Sequence, residues 1–493
     1  MYYERETGMA RGLVAAMTVA MTGCGSTTAA TTASTAAGSE AAASSAASTA
    51  ASTEASTAAS TTAAAGDSMY ANLELGTTYA DVKADIKVLT NRTDMLADDY
   101  GGTKYSDYIA EFNKLYPNVT VDVEGLTDYA NESLTRLTSG DWGDVMMIPA
   151  VDKADLGEYF LPYGDLTTMD GQINYVNTWV YDDQVYGVPS TATASGIVYN
   201  KAVFEKAGIT ELPKTADDFI KDLQTIKDKT DAIPLYTNYA AGWTMGAWDD
   251  YISGSATGDE NYKNNVLLHT SNPFSDPGDG THAYNVYKIL YDAVANKCTE
   301  DDPTTSDWES SKAKMNNGEI ATMVLGSWAV SQMKAAGDHP DDVGYMPFPI
   351  TVDGKQYASS GADYSFGINK DASEENQQAA MAFVKFMTEK SGFSYNEGGL
   401  PIAKDLSDQL PDTYTLFKDV TMVVDAPAKE GEEDLMNTLN SDSELMISAS
   451  DGKRTQGIVD HAMSGDEKFD DIMNEWNEAW TTAQTDNDVE INK

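Results

Sequence analysis

Trp328 closely follows an almost unbroken apolar run over residues 320–325, and Trp243 lies in a Gly-punctuated stretch, 236–248, that holds two Trp and two Tyr. Other short apolar runs have polar neighbours: Asn91 and Arg92 follow 86–89, Asp144 precedes 145–148, and Asn238 follows 233–236. Indole and phenol faces offer flat apolar area for stacking, while Asn, Asp and Tyr exchange hydrogen bonds with hydroxyl groups. Such a set suits non-covalent capture of a hydroxyl-rich ligand such as a sugar. For the polar members the alternative use is helix capping or loop hydrogen bonding, and for the Trp it is packing.

Other chemistries find less support. The four His, at 269, 282, 339 and 461, lack metal-ligand spacing, and no Gly-x-Ser-x-Gly elbow, P-loop or dinucleotide fingerprint occurs, so neither a metal nor a cofactor is expected. With 78 Asp and Glu, a carboxylate pair of the glycosidase kind could be found anywhere and decides nothing. A formal charge of -46 argues against nucleic acid and against an anionic membrane surface as partners. Beyond the first 24 residues Arg occurs only at 92, 136 and 454, which leaves little for a bidentate grip on a carboxylate or phosphate. A cationic ligand such as a polyamine would also suit acidic and aromatic residues. A secreted glycan-active enzyme and a surface adhesin are the rival classes.

The elements that must position these residues read as α/β. Residues 86–89 form a strand, a helix opened by Ser106 follows with Tyr108, Ile109, Phe112 and Leu115 on one face, and Val119, Val121 and Val123 alternate as a second strand. Strand, crossover helix and strand in about 40 residues start a parallel sheet. In open sheets of this kind ligands bind beyond the carboxyl ends of the strands, where Trp328 would stand after 320–325. Thr215 and Asp218 form a capping box for a helix carrying Phe219, Leu223 and Ile226. The closing helix, with Phe469, Ile472, Met473, Trp476 and Trp480 at helical spacing, reads as core.

The chain begins with an untidy export signal. An apolar stretch, 13–21, leads to Met21-Thr22-Gly23-Cys24, which resembles a lipoprotein lipobox with Cys24 as the acylated residue, although Met21 replaces the usual Leu and Glu4 and Glu6 precede the stretch. Residues 25–66 are almost entirely Ala, Ser and Thr, which cannot bury enough apolar area to order a domain, so they are expected to be a tether.

The segment Gly-Glu-Ile-Ala-Thr-Met-Val-Leu-Gly-Ser-Trp, 318–328, resembles the Gly-x-Ala-Ala-Met-x-x-x-Gly-x-Trp signature of the extracellular solute-binding proteins of ABC importers, the sugar-binding group, with Ile320 where Ala is usual. Tyr186-Gly187-Val188-Pro189 followed by Tyr199-Asn200-Lys201, the Asp141-to-Val145 stretch with Gly143 in place of Pro, the passage 361–369, and Gly399-Leu400-Pro401 are similar to further motifs of that family. The resemblance runs from about Asp85 to the C-terminus. It implies a type II, two-lobe periplasmic-binding-protein-like fold, each lobe a mainly parallel sheet flanked by helices and joined by hinge crossings. Lobe 1 would be 85–190 plus 365–412, and lobe 2 would be 191–364 plus 413–493. It implies that Trp328 stacks on a sugar; the candidate contacts beside it are Asn91, Arg92 and Asp144 of the first lobe, Asn238 and Trp243 of the second, and Asp363 and Tyr364 at the crossing. It also implies a monomer at the outer face of the bacterial membrane, held there only by its lipid, that serves ABC permease subunits and their ATPase.

Overall fold

The computed structural model describes residues 69–407, 409–448 and 451–492. The leader, Cys24 and the Ala/Ser/Thr-rich segment lie outside them. Fourteen strands are present among the described residues: β1 Ala84–Thr90, β2 Val119–Gly125, β3 Val145–Met147, β4 Gly164–Asp165, β5 Val180–Tyr181, β6 Gln184–Val185, β7 Val188–Pro189, β8 Ala192–Asn200, β9 Ile233–Leu235, β10 Ile320–Gly326, β11 Val343–Met346, β12 Tyr357–Ala362, β13 Ser365–Ile368 and β14 Thr421–Val423.

The apolar side chains of β1 and the Tyr105–Phe112 helix close the βαβ unit that the sequence patterning predicts, with β1 parallel to both β2 and β3. The first sheet has the order β2-β1-β3-β13-β7, and the second runs β14-β12-β8-β10-β9, with β11 also on β8. A small sheet, β4-β6-β5, stands apart from both. Each large sheet has one strand against its common direction: β13 is antiparallel to β3 and β7, and β8 is antiparallel to β10, β11 and β12.

The reversed strands are the ones that arrive from the other sheet. β7 leaves the first sheet at its carboxyl edge and, after Ser190 and Thr191, becomes β8. β12 leaves the second sheet and, after Asp363 and Tyr364, becomes β13. A strand that enters a sheet at its carboxyl edge must run backwards through it. The carboxyl edges of both sheets therefore face one seam, where open α/β sheets place their ligands. The two crossings are bonded to each other: Ser190 N–H donates to the Tyr364 carbonyl (2.9 Å), and Asp363 N–H donates to that of Thr191 (2.9 Å).

Helix packing follows the sequence pattern. In the Ala216–Lys229 helix Phe219, Leu223 and Ile226 are fully buried, roughly 1.5–3 kcal/mol each. Its first turn is closed by Asp218 N–H on Thr215 Oγ1 (3.2 Å), a cap that contributes about 1 kcal/mol. One apolar core surrounds the first sheet and continues across the seam onto Leu325, Ala329 and Val330, while a second lies on the far side of the second sheet. Trp476 and Trp480 of the Phe469–Asp486 helix belong to the second core, packed edge-on against Phe274. The folded chain begins earlier than the expected Asp85: Tyr70 is buried edge-on against Tyr163, with Lys385 Nζ over its ring. No helix among the described residues is long and apolar enough to cross a membrane.

Candidate ligand-binding site at the seam between the sheets

β10 is buried from Ile320 to Leu325 and delivers Trp328 to the seam. Gly326 makes this possible, because a Cβ there would stand 2.7 Å from Trp328 Nε1, in the place the folded-back indole takes. Ser327 pins the turn to β8: its N–H donates to the Ala194 carbonyl (3.0 Å), and its Oγ accepts the Ala194 N–H (3.1 Å) and bonds the Tyr414 hydroxyl (2.7 Å). Trp328 then opens the Trp328–Ala335 helix. Trp243 opens a helical turn, Trp243–Gly246, and Trp308 opens the Trp308–Asn316 helix, capped by Asp307 Oδ1 accepting from Ser310 N–H (2.8 Å). Ala240 N–H on Ser306 Oγ (2.8 Å) and Asp307 N–H on the Tyr236 hydroxyl (2.9 Å) bring these two loops together. The three indoles form a closed triangle, with centroids 5.1, 5.6 and 5.6 Å apart, and all three are only half-buried. Trp248, by contrast, is buried against Phe348, as expected of a packing residue.

The opposite wall grows from the carboxyl end of β1. Arg92 donates from Nε and Nη2 to the Asp94 carboxylate (2.9 and 3.0 Å), from Nη1 to Glu397 Oε2 (2.5 Å) and from Nη2 to the Tyr100 hydroxyl (3.0 Å). Burial opposes ionisation of Asp94, but the hydrogen bonds and charge of Arg92, with a contribution from Lys312, hold its carboxyl below the usual range. Lys312 also sits over the Trp308 ring (4.9 Å to the centroid), and Ser331 Oγ lies 3.4 Å from Glu397 Oε2 one turn after Trp328. These two links, from opposite ends of the network, set the Trp triangle against the Arg92 loop.

Asn91, beside Arg92, is half-buried, and among the described residues its side chain has no hydrogen-bond partner. Asp363 lies within the field of Arg92. Burial raises its carboxyl above the ordinary value, and the Tyr364 N–H and the Arg92 charge offset this only in part. The Tyr364 hydroxyl, pushed up to about 12 by burial and then by Asp363, sits on a ring packed edge-on against Tyr129 (5.4 Å).

The structure thus gathers Asn91, Arg92, Asp363, Tyr364, Trp243 and Trp328 at one seam, but not in one role. Arg92 is already spent on Asp94, Glu397 and Tyr100, so it shapes the wall instead of offering a free guanidinium. Asp144 stands at the amino end of β3, away from the seam, where its carboxylate accepts the Lys87 N–H (2.8 Å) and Asn376 Nδ2 (2.8 Å); it clamps β1, β3 and the Glu374–Glu389 helix and is withdrawn as a ligand contact. Asn238 is wholly enclosed: its N–H donates to Glu300 (3.1 Å), its carbonyl accepts from Thr244 Oγ1 (2.8 Å), and its φ of 55° suits the left-handed turn that precedes Trp243. It supports the site from behind and does not reach its surface. Trp308, Lys312 and Glu397 were not foreseen. For Trp308 a signal was present, an aromatic residue just after the capping Asp307 on a helix with no marked apolar face.

Among the described residues no cluster of His, Cys, Asp or Glu could hold a metal ion. What the arrangement can do is stack a ring and exchange hydrogen bonds with hydroxyls. Residues 99–392, more than half of the chain, match the bacterial extracellular solute-binding proteins. The chain belongs to that family. A solute-binding protein from Bifidobacterium animalis subsp. lactis, specific for manno-oligosaccharides and solved with mannotriose, is 55% identical, with 86% of this chain and 99% of that one covered at a TM-score of 0.82. A second from the same organism, solved with mannobiose as the binding protein of an ABC transporter, is 56% identical over 85% and 98% of the two chains, also at 0.82. The multiple sugar-binding protein of Streptococcus mutans is 27% identical over 308 residues, 60% of this chain and 70% of that protein. Members of this family and its neighbours are transport receptors, and the two-lobe type II fold is shared with them.

Proposed function

We propose that this solute-binding protein captures a short manno-oligosaccharide at the seam and delivers it to an ABC importer. Trp243, Trp308 and Trp328 would supply stacking faces, and Asn91, Asp363 and Tyr364 would bond the hydroxyls. The observation that carries this reading is the half-buried Trp triangle set against unfilled polar side chains at the carboxyl edges of both sheets. The mannobiose and mannotriose held by its 55–56% identical neighbours support the choice of sugar. The lobes of our proposal are 85–190 plus 365–412 and 191–364 plus 413–493, with the Tyr70 segment added to the first. Attachment through Cys24 at the outer face of the membrane, a monomeric state, and delivery to separate permease and ATPase subunits complete the proposal.

The rival classes fit the site less well. A polyamine would meet Lys312 and Arg92 in the facing walls, with the Asp94 and Glu397 carboxylates already committed to Arg92. Two-carboxylate hydrolysis needs one acid and one base, and with Asp94 and Glu397 locked to one guanidinium only Asp363 is left at the seam. Calorimetric titration of the full chain with mannobiose, mannotriose, maltotriose, raffinose and spermidine, with each sugar analysed afterwards, tests the reading. Saturable binding of the mannose-based sugars, recovered intact, is expected. A response to spermidine alone, or cleaved sugar, overturns it.

A further inference from the structure

A cavity of about 510 Å³ opens along the same seam. Tyr100, Gly101 and Gly102 line it on one side, and Ser331, Lys334 and Ala335 of the Trp328–Ala335 helix line it on the other. Tyr100 and Ser331 belong equally to the wall of the tryptophan site, since the Tyr100 hydroxyl accepts from Arg92 Nη2 (3.0 Å) and Ser331 Oγ reaches Glu397 Oε2 (3.4 Å) and the Trp328 carbonyl (3.3 Å). The Arg92, Glu397, Tyr100 and Ser331 group therefore stands between this cavity and the tryptophan triangle.

The partition has a fixed part and a removable part. Arg92 and Glu397 have only 12% and 4% of their side-chain surface exposed and are ion-paired, so removing Arg92 leaves the Glu397 charge buried and uncompensated, and removing Glu397 takes one of the two carboxylates from Arg92. Tyr100 is neutral and half-buried, and it contributes one hydrogen bond. Its place is built by the two glycines that follow it: a Cβ on Gly102 would fall 2.6 Å from the Tyr100 ring, and one on Gly101 would come within 3.1 Å of the Ala335 carbonyl across the seam. The ring can thus lie against its own loop while that loop abuts the opposite helix. Beyond it, the tyrosine ring and ammonium of Tyr395 and Lys334, with Asn396, offer stacking area and hydrogen-bonding groups of the kind a saccharide unit uses.

We propose that this partition is the end wall of the saccharide site, and that Tyr100 sets the longest oligosaccharide the protein accepts. The proposal rests on the manno-oligosaccharide reading above. Without the Tyr100 ring the cavity opens past the fixed Arg92–Glu397 pair towards the tryptophan triangle, and units beyond the stacked ones run into it.

The test is calorimetry on the full chain and on its Tyr100→Ala, Tyr100→Val and Tyr100→Phe variants, with mannobiose, mannotriose and mannohexaose, each variant first checked by thermal unfolding. The wild type and Tyr100→Phe are expected to bind mannohexaose at least ten-fold more weakly than mannotriose. Tyr100→Ala should cut that ratio to three-fold or less, with Tyr100→Val in between and guarding against loss of fold. A wild type indifferent to chain length, or a Tyr100→Ala or Tyr100→Val profile that matches the wild type, overturns the proposal alone. No binding of any of the three sugars by the wild type overturns the functional reading, and the proposal with it.

Discussion

The two walls of the seam solve opposite problems. On one side Arg92, Asp94, Glu397 and Tyr100 satisfy one another within the protein. On the other side three indoles touch only each other and the edge of the core, and Lys312 lies over one of them. A network that satisfies itself gains little from a ligand, whereas half-buried aromatic area still gains by being covered. In the proposed function the first wall holds the site and the second meets the solute, and charge is a poor guide to which is which. Among the described residues the guanidinium at the seam, that of Arg92, is held by three protein partners.

Two substitutions can break that separation. Glu397→Ala leaves Arg92 its two bonds to Asp94 and one to Tyr100, so no charge is stranded and the loss is that of one buried charge-assisted hydrogen bond, about 1.5–3 kcal/mol of stability. Chemical denaturation should show this as a lowered midpoint. If stability holds while binding disappears, the polar wall meets the ligand after all. Trp328→Ala should act the other way, with a cost of about 2–3 kcal/mol in binding, or roughly 30–150-fold in Kd by calorimetry, as for a central aromatic anchor. A variant that binds normally would return Trp328 to packing.

The same contrast explains what the sequence made legible. The β1 to β3 unit, the capped Ala216–Lys229 helix and the buried β10 were readable because periodicity and caps act locally. Trp328 was readable because a strand end followed by Gly and Ser fixes where the next side chain stands. Asp144 was misplaced because a short apolar run marks a strand without telling which neighbour lies at its carboxyl end; here Asp144 precedes β3. The commitment of Arg92 was invisible because Glu397 is 305 residues away. Tyr70 and Leu73 open the fold in an irregular segment that has no period to detect.

Trp308 sharpens the aromatic side of the comparison. It is edge-on to Trp243 and carries Lys312, so one face is already occupied. Trp308→Ala should cost less than Trp328→Ala, about 1–1.5 kcal/mol in binding, or roughly five- to twelve-fold. Trp308→Phe, which keeps a ring for Lys312, should recover most of it. Equal losses for Trp308 and Trp328 would mean that the solute spans the whole triangle instead of resting on one member.

Asp363 gives the smallest effect and tests whether the polar residues left unfilled are the ones that wait for a ligand. Burial raises its carboxyl above the ordinary 3.8, so between that value and the raised one the folded state binds more protons than the unfolded state. Stability then falls as pH rises through that window and stays lowered above it. Asp363→Asn lacks the penalty: its melting temperature should exceed that of the wild type at pH 7, and the gap should close as pH is taken down towards 4. Solute changes the balance, because hydroxyls that donate to the carboxylate favour its charged form. Wild-type affinity should therefore weaken as pH falls through the same window, while that of Asp363→Asn, weaker at pH 7, stays flat. A melting gap that closes with acid while wild-type affinity holds constant would make Asp363 a strained hinge residue that the solute never touches.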